Sequence, residues 1–112
     1  MCMYKSVESL ETLEATIKED AAVLLYISHD ACNVCKVLKP EIATLFDTNF
    51  PQVQQYYIDS KNQAEIAAQY SVFAVPTVII YLDGKEFFRE SRNISLSQLK
   101  EKVARPYELF FS

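Results

Sequence analysis

Two cysteines, Cys32 and Cys35, stand three positions apart in the stretch ISHDACNVCKVLKP, after an apolar run and before a pattern of helical spacing. A cysteine in the first turn of a helix meets unpaired backbone N–H groups and the positive end of the helix dipole, and both favour the thiolate over the thiol. Cys32 is therefore the candidate nucleophile. Cys35, three residues on, falls on the same helical face one turn deeper, close enough to bridge to Cys32, and is the candidate resolving thiol. The chemistry this spacing supports is reversible thiol–disulfide exchange, with the Cys32–Cys35 pair itself as the redox group and no added cofactor. Lowering a thiol pKa from about 8.5 to about 7 raises the thiolate fraction at neutral pH roughly 16-fold, but the accompanying loss of nucleophilicity leaves a net gain of only about threefold. Most of the rate must come from the intramolecular attack by Cys35 and from a better leaving thiolate.

Two other readings of the pair compete. A structural zinc site needs four ligands, and outside the carboxylates only Cys2 and the single histidine, His29, remain to complete one. No second CxxC is present, so zinc is disfavoured. Two inert buried cysteines are disfavoured by the helix-start position. Nearby, His29 is a candidate for stabilising the Cys32 thiolate, but the intervening Asp30 favours a solvated loop histidine. Lys36 reads equally as a site cation and as a plain surface lysine. Cys2, near the terminus, reads as a free thiol outside the chemistry.

The elements that position the pair alternate in type. Leu10, Leu13 and Ile17 recur at helical spacing behind Ser9, a suitable N-cap, and predict an amphipathic helix over residues 9–18. The run AAVLLYI at 21–27, apolar on both faces, predicts an interior strand, parallel if helices cover both sides of the sheet. Helical spacing resumes through Val34, Cys35, Leu38, Ile42, Leu45 and Phe46, with Pro40 expected to kink it. A strand over 53–59 and a short helix over 62–70 follow. TVIIYL and KEFFRES meet across Asp83-Gly84, the turn signal of an antiparallel hairpin. A last amphipathic helix runs from a Ser95 cap through Leu96, Leu99 and Val103, kinked or ended at Arg105-Pro106. The sum is a small α/β fold, a central mixed β-sheet flanked by helices on both faces, over residues 1–112 as a single domain.

With 112 residues, half of them apolar, and a net charge of −4, the chain has enough mass to bury roughly two-thirds of its unfolded surface, and it lacks the basic patch that nucleic acid requires. No apolar run approaches a membrane span, the N-terminal residues do not read as a secretion signal, and three cysteines do not make a secreted disulfide framework, so a cytoplasmic setting is expected. The tail PYELFFS is expected to end a helix packed on the sheet, which leaves the chain a monomer; exposure of Leu109, Phe110 and Phe111 would instead point to a dimer.

CNVCK after VLLYIS, Pro40 in the following helix, YYID on a later strand, YSVFAVPTVIIYLDGKE and the final amphipathic helix together resemble the thioredoxin family in order and spacing over nearly the whole chain. The resemblance implies a thioredoxin-like fold with a cis peptide at Val75-Pro76 beside the CxxC, leaving the Val75 backbone groups to bind an extended substrate chain; the competing reading of Pro76 is an ordinary strand-start proline. It also implies disulfide-containing proteins or small disulfides as substrates and a reductase or low-molecular-weight thiol as electron donor. The departures are specific. Thioredoxins carry WCGPCK at the site, whereas here Ala31 precedes the first cysteine, Asn33-Val34 lie between the two, and the chain has no tryptophan. Val34 in place of proline restores a backbone N–H and is expected to shift the potential in the oxidising direction. Tyr26 and Tyr57 occupy the positions of the family's buried acid and neighbouring lysine, so deprotonation of Cys35 needs another route. A second function stays open on these grounds: a thioredoxin-like binding module or redox switch that captures a partner without turnover.

Overall fold

The computed structural model describes residues 4–7, 9–29, 33–92 and 94–111, with backbone alone for 33–35. Its elements run β1 (Lys5–Ser6), α1 (Leu10–Glu19), β2 (Ala22–Ser28), α2 (Asn33–Asn49), β3 (Gln54–Asp59), α3 (Ala64–Gln69), β4 (Thr77–Leu82), β5 (Lys85–Ser91) and α4 (Leu96–Phe111). The strands form one sheet in the order β1-β3-β2-β4-β5. β3 pairs in parallel with β1 and β2, whereas β4 runs antiparallel to β2 and β5, so the sheet is mixed.

The central strand β2 is buried along its whole length because helices cover both faces of the sheet. Val23, Leu25 and Ile27 point to the side of Leu13 and Ile17 of α1 and Ile66 of α3. Leu24 and Tyr26 point to the side of Ile42 and Phe46 of α2 and Leu99 and Val103 of α4. Each such fully buried side chain contributes about 1.5–3 kcal/mol of transfer free energy. A strand with two buried faces has no polar positions to alternate, which is why AVLLYIS reads as a continuous apolar run.

The caps act as the sequence indicates. The Ser9 hydroxyl accepts from the Thr12 N–H at 3.2 Å, and Ser95 accepts from the Gln98 N–H at 3.3 Å. At the hairpin, Asp83 and Gly84 have φ of 53° and 78°, the left-handed pair of a tight turn. One feature departs from the sequence reading, and a second decides between two expectations. A short edge strand, β1, pairs with Tyr56 and Tyr57, and its two exposed residues give no pattern to read. Of the two outcomes expected for the last helix at Arg105-Pro106, ending is excluded: the helix continues through the tail to Phe111. Pro106 removes one helical hydrogen bond, and aromatic packing offsets it: the Tyr107 ring lies 5.1 Å from that of Phe50 and 4.7 Å from that of Phe111. The tail is accordingly divided, with Tyr107 and Phe111 packed on the α2 side and Leu109 and Phe110 exposed.

Candidate active site

The site lies at one end of the sheet, where the register brings two connections together. Ile27, near the end of β2, pairs with Thr77, the first residue of β4. The segment leaving β2 toward the cysteines therefore neighbours the segment entering β4. β3 ends at the same place, and the Ser60 N–H donates to the Ser28 carbonyl at 2.8 Å. Cys32 lies outside the described residues; in sequence it immediately precedes Asn33, the first residue of α2, and the backbone of Cys35 falls in the first turn of that helix. Their order relative to the helix start is the one a helix-dipole-stabilised thiolate requires.

Just before β4, Val75-Pro76 is a cis peptide, as the family resemblance implied. Pro76 is buried and Val75 half-buried. The surrounding backbone is committed elsewhere: the Pro76 carbonyl accepts from the Arg92 N–H at 2.8 Å, and the Ala74 carbonyl accepts from the Thr77 hydroxyl at 2.7 Å. Among the described residues, no hydrogen bond uses the N–H or the carbonyl of Val75. A donor and an acceptor without internal partners, on a half-buried residue, are available to an added extended chain.

Beneath the start of α2 lies a group of tyrosines. The Tyr26 ring is fully buried, 5.7 Å from the Tyr4 ring and 6.2 Å from the Tyr57 ring. Burial, with a smaller effect from Tyr57, pushes the Tyr26 phenol well above its ordinary range, so it supplies no base at neutral pH. Ser28 donates to the Tyr57 hydroxyl at 3.2 Å. The Lys39 ammonium sits 3.7 Å from the centre of the Tyr57 ring and 5.5 Å from that of Tyr4, whose hydroxyl donates to the Lys39 carbonyl at 2.9 Å. Lys39 follows Cys35 by one helical turn, and sequence patterning passed over it because a lysine between apolar positions reads as solvated surface.

His29 is half-buried, and its Nδ1 is buried with no hydrogen-bond partner among the described residues, so it is not the solvated loop residue the sequence favoured. Lys36 is exposed. Of the ligands a zinc site would need, Cys2 and Cys32 lie outside the described residues; among the described residues, no cluster of three His, Cys, Asp or Glu could hold a metal. No helix there is long and apolar enough to cross a membrane.

The thioredoxin family model matches residues 5–105 of the chain. The thioredoxin-like protein YdfQ of Bacillus subtilis (strain 168) is 36% identical over 102 residues, spanning 91% of this chain and 90% of that protein. Among solved structures, thioredoxin from Trypanosoma brucei brucei superposes with a TM-score of 0.85 at 22% identity, covering 96% of this chain and 93% of that one. Fasciola hepatica thioredoxin superposes with a TM-score of 0.79 at 27% identity, over 90% and 97%.

Proposed function

The chain belongs to the thioredoxin family, whose general activity is thiol–disulfide oxidoreduction, and on that premise we propose that it reduces protein or low-molecular-weight disulfides through Cys32 and Cys35. The Cys32 thiolate attacks one sulfur of the substrate disulfide, forming a mixed disulfide and releasing the first substrate thiolate. Cys35 then loses its proton and attacks the Cys32 sulfur, releasing the second substrate thiolate and closing the Cys32–Cys35 disulfide. Two electrons have passed to the substrate. A reductase or low-molecular-weight thiol returns them, with no other cofactor. The chain works as a single thioredoxin-like domain over 1–112 in a cytoplasmic setting that keeps the pair reduced, either as a monomer or as a dimer joined through the exposed Leu109 and Phe110.

What carries this reading is the Val75 backbone, with its donor and acceptor unused, at the sheet end from which the chain leaves β2 toward the cysteines. An extended substrate pairs there as a short added strand, and Pro76 fixes the bend beside it. Insulin reduction with a dithiol as the recycling donor tests it: Cys32→Ser is expected to abolish turnover, and retained activity in that variant would remove Cys32 from the role.

A second function has one observation in its favour. With the Tyr26 phenol kept neutral by burial, Cys35 has no buried carboxylate at that position to take its proton, which suits slow turnover or the stable capture of one partner as a redox switch. Cys35→Ser separates the two: an oxidoreductase traps many clients as mixed disulfides, and a switch traps one or few.

A further inference from the structure

Phe73 is the most exposed large apolar side chain among the described residues, at 88% of its full accessibility. It does not sit on a loose loop. Upstream, α3 ends in a Schellman motif: the Val72 N–H donates to the Ala67 carbonyl at 2.8 Å and the Ser71 N–H to the Ala68 carbonyl at 3.0 Å, with Ser71 left-handed at φ 58°. Val72 is buried in the α1/α3 core. Downstream, the Ala74 carbonyl is held by the Thr77 hydroxyl at 2.7 Å, and Pro76 is buried. Arg89, fixed by Glu86 through two bonds of 2.8 Å, also reaches the Ser71 carbonyl at 3.4 Å. The backbone is thus pinned on both sides of an outward-pointing ring, and a rigid aromatic loses little conformational entropy when a partner covers it.

We infer that Phe73 is a specificity-determining residue that seats a bulky apolar side chain of a polypeptide substrate, directing exchange toward disulfides flanked by such a side chain. The inference rests on the oxidoreductase reading above. Phe73 lies two residues before Val75, so its Cα is within about 7 Å of the Val75 Cα whatever the bends between them. The side chains of a substrate paired in extended form to the Val75 backbone, at about 3.3 Å per residue, therefore pass within reach of the Phe73 ring. Covering a ring that is otherwise almost fully wet is worth about a tenfold gain in affinity or more. A small disulfide such as oxidised glutathione carries no bulky apolar side chain to place against it.

The test uses pre-reduced protein in single turnover against disulfide-linked homodimers of a short peptide, one series moving a single Phe through the positions flanking the cysteine and the other carrying Ser there, with oxidised glutathione as the small substrate. Wild type is expected to reduce the best Phe peptide about tenfold faster than its Ser counterpart. Phe73→Ser is expected to lose that preference, Phe73→Leu to keep part of it, and both to reduce oxidised glutathione at the wild-type rate with an unchanged melting temperature. Phe87→Ser, which removes another exposed aromatic from the edge strand β5, is expected to leave the preference intact. Equal rates on the Phe and Ser peptides in wild type, or a preference that survives Phe73→Ser, would overturn the assignment and leave the oxidoreductase reading standing. Failure of wild type to reduce any of the three substrates would overturn that reading, and the assignment with it.

Discussion

At the scale of single residues, the contact beneath the start of α2 that patterning passed over is the Lys39 ammonium held against the Tyr57 and Tyr4 rings. A cation over an aromatic face is worth about 0.5–2 kcal/mol, the larger values where water is excluded. Lys39 is half-buried, and among the described residues no carboxylate pairs with it. Lys39→Met, which keeps the alkyl stem and removes the charge, is expected to destabilise the protein by about 1 kcal/mol in urea denaturation, and Lys39→Arg to retain most of that stability. Equal stability of the Met variant would mean that the ring contacts are made by the stem alone. The Arg89–Glu86 pair is the opposite case: the hydrogen bond to Arg89 lowers the Glu86 carboxyl below its usual range, yet both groups are partly exposed and the pair contributes little to stability.

At the scale of elements, the β4–β5 hairpin depends on two consecutive left-handed residues, and only Asp83-Gly84 supplies them without strain. A Cβ added at Gly84 would meet the Ile17 carbonyl and the Lys18 Cα at 3.8 Å, ordinary contact distances, so the cost of substitution is conformational and not steric crowding. Gly84→Ala is expected to lower stability by about 1 kcal/mol without moving the strand register, a change visible as a lower melting temperature with an unchanged circular dichroism spectrum. α4 illustrates how an element outlasts its local signal. Pro106 reads in sequence as a kink or an end, and because Tyr107 behind it packs on Phe50 and accepts a hydrogen bond from the Gln52 N–H at 3.2 Å, tertiary contacts carry the helix on to Phe111.

At the scale of the whole molecule, the core contains several tyrosines whose hydroxyls sit in or near apolar surroundings. Burial is the largest cause in each case: it raises the phenols of Tyr26, Tyr70 and Tyr81, and it pushes Tyr56 up to about 12, helped by the bond Tyr56 donates to Asp20. A folded-state pKa above the unfolded value of about 10 means stability that is fully present below pH 10 and lost as the pH rises through the folded value. Unfolding free energy is therefore expected to hold level near about pH 8 and to fall steeply above about pH 10, read by urea denaturation across that range. Tyr56→Phe is expected to flatten the alkaline fall while losing about 1 kcal/mol at neutral pH, where the hydrogen bond to Asp20 disappears. An alkaline slope as steep in Tyr56→Phe as in wild type would show that the other phenols alone set it.

The sequence by itself determined the order and type of the main elements, because each leaves a local trace: the caps Ser9 and Ser95, the unbroken apolar run of β2, and the Asp83-Gly84 turn. It also determined the residue types and spacing of the CxxC and the place of Pro76, since chemistry at a helix start depends on near neighbours in the chain. Only the tertiary structure decided what depends on neighbours far apart in sequence. The pairing of Ile27 with Thr77 puts the segment leaving β2 beside Val75, the packing of α4 on Phe50 overrides Pro106, and Lys39 finds its place over Tyr57 only once α2 lies on the sheet. The edge strand β1 and the exposure of Phe73 belong to the same group, because a two-residue strand is defined by its partner and a solvent-facing ring by the side chains that fail to cover it.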